Sequence, residues 1–398
     1  MTDDHRKAGP LHEAVADGAH STTFKTLVET GADPNAQDES GERPLHACAM
    51  YDSDPAVVRT LVALGADPDA PDDDGYTPVH SATDWVHLDM LRVLLELGAV
   101  ANARDSRGRT PLHIACSQKS LDAVEILIAS GADARAVDNT GETPLHEAAS
   151  WEQPDHPIGE LVAAGADPNA RDEDGVTPLG RAARWNQNVA IIRALLSNGA
   201  NPKSRADAGW TPLHGAARWN RNAAVIRALA EGGSNLDERT DAGETPLLLA
   251  AEINRPPVVS TLLALGADPT LVRNDGMSAL HAAAVHEDVA LVRKLVGSGA
   301  DLGAKLTETH ATPLHFAVAT HDANEAVVRV LLEAGADPNE ETHVGDAVGF
   351  AYTADAKLAV MRTLTRASAA SYGWRWWFRW WLKRCAFLMS LSRRRTDD

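Results

Sequence analysis

The chain reads as an all-α solenoid, a row of short helix-turn-helix units with a hairpin turn projecting from each junction. Three recurring phrases predict this. Thr-Pro-Leu-His opens at Thr110, Thr143, Thr211 and Thr312, with variants opening at Gly9, Arg43, Thr77, Thr177, Thr245, Ser278 and Asp346, eleven copies at a step of 33 or 34 residues. Gly-Ala-Asp-Pro-Asn-Ala follows each opening, intact at 31–36 and 165–170 and varied from Gly65, Gly98, Gly131, Gly199, Gly266, Gly299 and Gly335. Asp-x-x-Gly stands just before the next opening, as at 38–41, 105–108 and 138–141.

Each element has a physical cause. Thr at the opening suits a helix N-cap, where its hydroxyl accepts a backbone N–H, and Pro suits the first helical position because its missing N–H would be unpaired there. The first helix is short and small-sided, as in Leu145-His146-Glu147-Ala148-Ala149. The second carries apolar residues three and four apart, as at Val57, Val58, Leu61 and Val62. Gly65 and its equivalents end that helix in a left-handed conformation that other residues resist. Asp-x-x-Gly then makes the turn. Each unit leaves an apolar face open, so its neighbours must cover it.

These phrases at this period resemble ankyrin repeats. The resemblance covers about nine tenths of the chain. Local departures are Gly180 and Leu248 in place of the His, Ser278-Ala279 in place of Thr-Pro, and a disturbed turn at 232–235. Residues 1–8 are polar and expected to be loose, 9–367 form the array with Asp346–Ala367 as its cap, 368–373 are a small-residue linker, and a tail of different composition fills 374–398. What the resemblance implies is a protein-binding scaffold and not an enzyme.

Composition narrows the function further. The net charge is −19, and residues 371–398 contribute seven Lys/Arg and two Asp, or +5, which leaves −24 on the remainder. An acidic body repels phosphate backbones, so nucleic acid is not an expected partner. Two readings of the acidity stay open: it keeps a long apolar-cored array soluble, or it faces a basic protein partner. No apolar stretch near the N-terminus could serve as a secretory signal, which points to the cytoplasm, and a monomer is expected. Cys48 and Cys116 stand where the first helix usually has Ala and read as small buried hydrophobes. No cofactor is implied. The phrase histidines fall one helix layer apart, too far to share a metal ion, and read as hydrogen-bonding braces. The acidic turns at 72–75 and 172–175 lack the first and last ligands of a calcium loop, with Ala70 and Ala170 at one end and Ser81 and Arg181 at the other.

Two features stand above the repeat background. Eight residues after each opening the chain carries Tyr51, Trp85, Gln118, Trp151, Trp185, Trp219, Ile253 and His286. In ankyrin repeats this place faces the concave groove and serves recognition, so the resemblance implies an exposed aromatic row that binds a partner. Rings that pack flat on neighbouring repeats are the competing reading. Arg184 and Arg218 each precede a Trp and add cation–π partners, and Trp210 near a hairpin tip extends the patch. The second feature is the tail, in which Trp374, Arg375, Trp376, Trp377, Arg379, Trp380, Trp381, Lys383 and Arg384 crowd together. On a helix Arg375, Arg379 and Lys383 share a face while most of the rest is apolar, the pattern of a segment lying on an anionic membrane surface. Cations inside the segment make crossing the bilayer expensive. The expected protein is a scaffold that binds a partner through a Trp-lined groove and is held at the inner membrane face by its tail. The alternatives are a soluble adaptor or inhibitor, whose tail packs as a cap or docks on its own groove, and an effector with catalytic activity, for which no sufficiently large segment remains.

Overall fold

The computed structural model describes residues 9–286, 288–319, 325–342, 347, 360 and 362–367. The N-terminal residues 1–8, the linker, the tail and most of the expected cap lie outside the described residues. The chain divides into two compact units, 1–207 and 208–398. In the first, six helix pairs follow one another: α1 (Pro10–Ala16) and α2 (Ser21–Glu29), α3 (Pro44–Met50) and α4 (Pro55–Ala63), α5 (Pro78–Asp84) and α6 (Leu88–Glu96), α7 (Pro111–Ser117) and α8 (Leu121–Ala129), α9 (Pro144–Ala148) and α10 (Ile158–Ala163), α11 (Pro178–Trp185) and α12 (Val189–Ser197). The second contains α13 (Pro212–Trp219) and α14 (Ala223–Glu231), α15 (Pro246–Glu252) and α16 (Pro256–Leu265), α17 (Ala279–Val285) and α18 (Val289–Gly297), α19 (Pro313–Ala319) and α20 (Glu325–Glu333). Among the described residues there is no β-sheet; Val272 and Ser278 form an isolated antiparallel bridge.

The phrases do what their chemistry suggests. The Leu of each opening is buried, as at Leu45, Leu112, Leu145 and Leu179 in the first unit and Leu213, Leu247, Leu280 and Leu314 in the second. Second helices bury one stripe, as at Met90, Leu91 and Leu94 or Ile191, Ile192 and Leu195. Fully burying each such side chain stabilises by roughly 1.5–3 kcal/mol. Gly65 closes α4 at φ 96°, where its N–H reaches Val62 O and the next N–H reaches Leu61 O, so the last carbonyls of the helix find donors.

Hairpins join successive repeats through the backbone. Asp72 Oδ1 accepts from the N–H groups of Asp74 and Tyr76, at 2.9 and 2.8 Å. The turn it fixes passes hydrogen bonds along the row: Asp73 N–H to Ser40 O at 3.2 Å, Ser106 N–H to Asp74 O at 2.9 Å, Asn139 N–H to Arg107 O at 2.9 Å and Glu173 N–H to Thr140 O at 3.0 Å. In the second unit Asp241, Asn274 and Thr307 donate to Ala208, Ala242 and Asp275 in the same way. The close approach demands glycine: a Cβ on Gly75, at φ +79°, would sit 2.9 Å from Ser106 N. A second link runs through the Asn of Gly-Ala-Asp-Pro-Asn. Asn35 donates to Gly65 O at 2.8 Å and accepts from Asp67 N–H at 2.8 Å, and Asn169 does the same to Gly199 O and from Asn201 N–H, at 3.0 and 2.7 Å.

The buried histidines tie the repeats most tightly. In His46, His80, His113, His146, His214 and His281, Nδ1 accepts from the backbone N–H of the opening residue, and Nε2 reaches the carbonyl just before the next opening. His80 bridges Thr77 N–H at 3.1 Å and Arg109 O at 3.2 Å. His113 bridges Thr110 N–H and Glu142 O, both at 3.1 Å, and His281 bridges Ser278 N–H at 3.2 Å and Ala311 O at 3.1 Å. A ring that accepts at Nδ1 must carry its proton on Nε2, so the network assigns a neutral imidazole of one tautomer. The hydroxyl behaves differently from the simple cap. At Thr77, Thr110 and Thr143 it lies 2.9–3.0 Å from Nδ1. Where no ring follows, it takes the cap role, accepting from Gly180 N–H and Leu248 N–H at 3.2 Å.

Burial, the largest influence on these rings, lowers His80, His113 and His281 to about 4 and lowers His46, His146 and His214 as well. With the folded value below the unfolded 6.5, the unfolded chain binds more protons between the two. Stability is therefore flat above pH 6.5 and falls as pH drops toward 4, by at most about 3 kcal/mol for each ring lowered to 4. Denaturant midpoints should stay level from pH 7.5 to about 6.5 and fall from there to pH 5, and His80→Leu with His113→Leu should shrink that slope while lowering stability at pH 7.5. An unchanged slope in the double variant would show that the rings are not its source.

Candidate protein-binding surface

The aromatic register falls at the C-terminal ends of the first helices. In the first unit Tyr51, Trp85 and Gln118 cap α3, α5 and α7, and Trp185 is the last residue of α11. Tyr51, Trp85 and Trp185 are 57%, 53% and 63% exposed, so large rings stand in water although the same helices bury every Leu. Arg184 sits half-buried beside Trp185; burial lowers its guanidinium, against the opposing charges of Asp172 and Asp174. In the same unit Arg181 pairs with Glu142 and approaches Glu147 at 3.9 Å, and Arg109 joins Asp105 at 2.9 Å and the Tyr76 hydroxyl at 2.7 Å.

Trp151 departs from the expected exposed row. It is 1% exposed, and its indole N–H donates to Cys116 O at 2.6 Å. The reason is local. Helix α9 has five residues where its neighbours have seven or eight, so the chain has left the helix before position 151 and the ring turns back onto the preceding repeat. Glu152-Gln153-Pro154-Asp155-His156-Pro157, with two prolines, was the sequence signal for that early exit. Trp151 is thus a buried brace and not part of an exposed row.

The second unit holds its aromatics differently. Trp210 and Trp219 stack at 4.9 Å between centroids with 28° between planes, and both are partly exposed. The Arg218 guanidinium lies 5.9 Å from the Trp219 ring and 3.5 Å from Glu252, which also accepts from Arg273 at 2.8 Å. Rings and ion pairs form a continuous patch there.

Sequence reasoning missed the asparagines after two of the tryptophans. Asn186 and Asn220 are buried, and Asn186 donates to Ala149 O at 2.9 Å and Trp151 O at 2.5 Å. Both begin an Asn-x-Asn triplet whose second member caps the following helix, Asn188 for α12 and Asn222 for α14. The repeated string Arg-Trp-Asn-x-Asn, at 184–188 and 218–222, was the available signal. Cys48 and Cys116 are buried as their place in the helix suggests, and burial pushes the Cys48 thiol up to about 12. Among the described residues no group of three or more His, Cys, Asp or Glu is placed to hold a metal ion, and no helix is long and apolar enough to cross a membrane.

The two kinds of tryptophan separate on mutation. Trp151→Phe keeps most of the volume and loses the donor to Cys116 O, with an expected loss of about 1–2 kcal/mol. Trp151→Ala should lose about 3–5 kcal/mol, whereas Trp185→Ala should stay within about 0.5 kcal/mol of the parent. Equal losses at the two sites in denaturant titrations would contradict the assignment.

Comparison with known proteins agrees with this geometry. Residues 82 long align at 39% identity with Protein PhlB of Serratia liquefaciens, covering 21% of this chain and 35% of PhlB. A stretch of 101 residues is 40% identical to the E3 ubiquitin-protein ligase KEG of Arabidopsis thaliana, covering 25% of this chain and 6% of that protein. The chain therefore spans about a third of one relative and a small fraction of the other. The family described as ankyrin repeats (3 copies) matches in overlapping stretches, 11–105, 98–172, 155–240, 179–273, 223–306 and 247–342. Repeats of this kind are protein-interaction modules, and with the helix pairs, the histidine braces and the family match in agreement over the same residues, the chain belongs to the ankyrin repeat family.

Proposed function

We propose that this chain is a scaffold that binds a protein partner through the exposed rings at its first-helix ends, and that its basic tail holds it at an anionic membrane surface. The observation that supports the binding surface is the exposure of Trp85 and Trp185, in a protein whose core is built from Ala, Val and Leu. Large amphipathic rings are the residues that most often anchor interfaces. Tyr51, Trp85 and Trp185 with Arg184 serve in the first unit, and Trp210 and Trp219 with Arg218 in the second. Trp151, buried, supports the scaffold and is not a contact.

Purification of partners on the full chain and on a Trp85→Ala/Trp185→Ala variant tests the surface. The variant should keep its helix content and lose on the order of tenfold or more in affinity for the protein recovered with the parent. Unchanged affinity would remove these rings from the interface.

The tail proposal rests on composition, because residues 374–398 lie outside the described residues. Its seven Lys/Arg could each contribute on the order of 1 kcal/mol near an anionic surface, against repulsion of the acidic body, and its five tryptophans add apolar insertion that salt does not screen. Full-length protein should bind anionic vesicles, more weakly as salt rises but without complete loss, and replacing Arg375, Arg379, Lys383 and Arg384 with Ser should remove most of that binding. Failure to bind such vesicles at low salt would leave the soluble adaptor or inhibitor as the better account.

A further inference from the structure

The acid excess is not spread evenly. Residues 1–207 hold thirty-four acidic and seventeen basic residues, a net of −17, and 208–370 hold twenty and thirteen, a net of −7. Within the first hundred residues nineteen acids face six bases. The acidic end of the chain carries two of its exposed aromatics, Tyr51 and Trp85, with the exposed Val86 beside them.

The charged residues that flank these rings in sequence are carboxylates, and the first cation in the register of Asp52 and Val86 is the exposed Lys119 of the next repeat. Asp52 follows Tyr51, Asp84 precedes Trp85, and Asp89 lies in the first turn of α6. The Gln118 amide donates to Asp84 at 2.6 Å and fixes that carboxylate beside the ring. His87 binds Ala49 O at 2.6 Å and ties the Trp85 turn to the repeat that carries Tyr51. Between residues 44 and 91 the sole Lys or Arg is Arg59, and it is paired with Glu96 at 2.5 Å on the second helices. Exposed rings edged by carboxylates attract a cation twice over, through the ring face and through the charge. An acidic partner or a phosphate surface would be repelled.

We infer that the Tyr51–Trp85–Val86 face takes a lysine- or arginine-bearing segment of a protein partner, one cationic side chain over Trp85 near Asp84 and Asp89 and another over Tyr51 beside Asp52. The inference rests on the reading of this face as a binding surface and adds the chemistry of what binds. Geometry sets the spacing. The rings occupy equivalent places in adjacent repeats, about 8–10 Å apart. A polyproline II segment rises about 3.1 Å per residue with three residues per turn, so side chains three apart fall on one face about 9 Å from each other. The fitting ligand therefore carries Lys or Arg at positions i and i+3.

A random nonapeptide phage library panned on the full-length chain tests this. Enriched sequences should carry Lys or Arg three residues apart. A synthetic peptide made from them should lose about tenfold or more in affinity on Trp85→Ala, and a comparable factor on Asp52→Asn/Asp84→Asn/Asp89→Asn, with a weaker salt dependence in the latter. The Asn variant keeps the acceptor for Gln118 and tolerates the left-handed backbone at 52, so its fold is retained. Enrichment of neutral or acidic peptides that still need Trp85 would overturn the basic-ligand inference and leave the binding surface standing. Peptides indifferent to Trp85→Ala would overturn both. If replacing Arg375, Arg379, Lys383 and Arg384 with Ser in the full chain greatly tightened peptide binding, the chain's own tail would be the occupant and the inference of a partner in trans would fall.

Discussion

The neutral imidazole between two repeats is the interaction on which the architecture depends. A stack of short helices has many backbone groups at helix ends that no helix satisfies. One ring serves two of them, the N–H that opens its own helix and the carbonyl that leads into the next. Because it does both with one proton in one place, it fixes the distance and orientation of neighbouring repeats together. The Asn bridges and the hairpin hydrogen bonds then repeat the same logic at two other heights of the stack, and the buried leucines fill what lies between. Since repeats contact only their neighbours, every one of these links is local, and stability accumulates along the row.

The same strategy explains why the two tryptophan classes can share a sequence position. Position 151 is inside because its helix ends early and the ring replaces a brace, donating to Cys116 O as the histidines donate to their carbonyls. Positions 85 and 185 stay outside because other groups already satisfy the backbone there: His87 in one repeat, the Asn186 amide in the other. With the backbone tied by these groups, both rings remain more than half exposed. Val86 adds to this, since a β-branched residue at φ 59° is held in a conformation it disfavours.

Most of the fold was legible because each phrase encodes a backbone requirement. Thr-Pro marks a helix start, Gly65 a left-handed exit, Gly75 a turn too close to its neighbour for a Cβ. The histidine could be recognised as a brace from spacing alone. Its tautomer and the hydroxyl's preference for the ring nitrogen could not, because both follow from competition among donors that only coordinates reveal. The Asn column was hidden for a similar reason: within one repeat it looks like a turn residue, and its partners lie about thirty residues away. The candidate surface was legible in part. A register identifies which residues share a position, yet whether a ring turns outward depends on where its helix stops, and the short α9 decided that for Trp151.

The braces also define which changes of length the chain can absorb. Each ring reaches a carbonyl 29 residues on in the shorter repeats, as from His80 to Arg109, and 30 residues on in the longer, as from His146 to Val176. The extra residue is taken up between the two anchor points without disturbing either. A duplication or deletion of one whole period would return every remaining ring to a carbonyl of the same kind. A change of half a period would strand a ring and a carbonyl at the same junction. The hydrogen-bond pattern thus acts as a reading frame for the array, one that accepts a single residue between its anchors or a whole period, and not the lengths between.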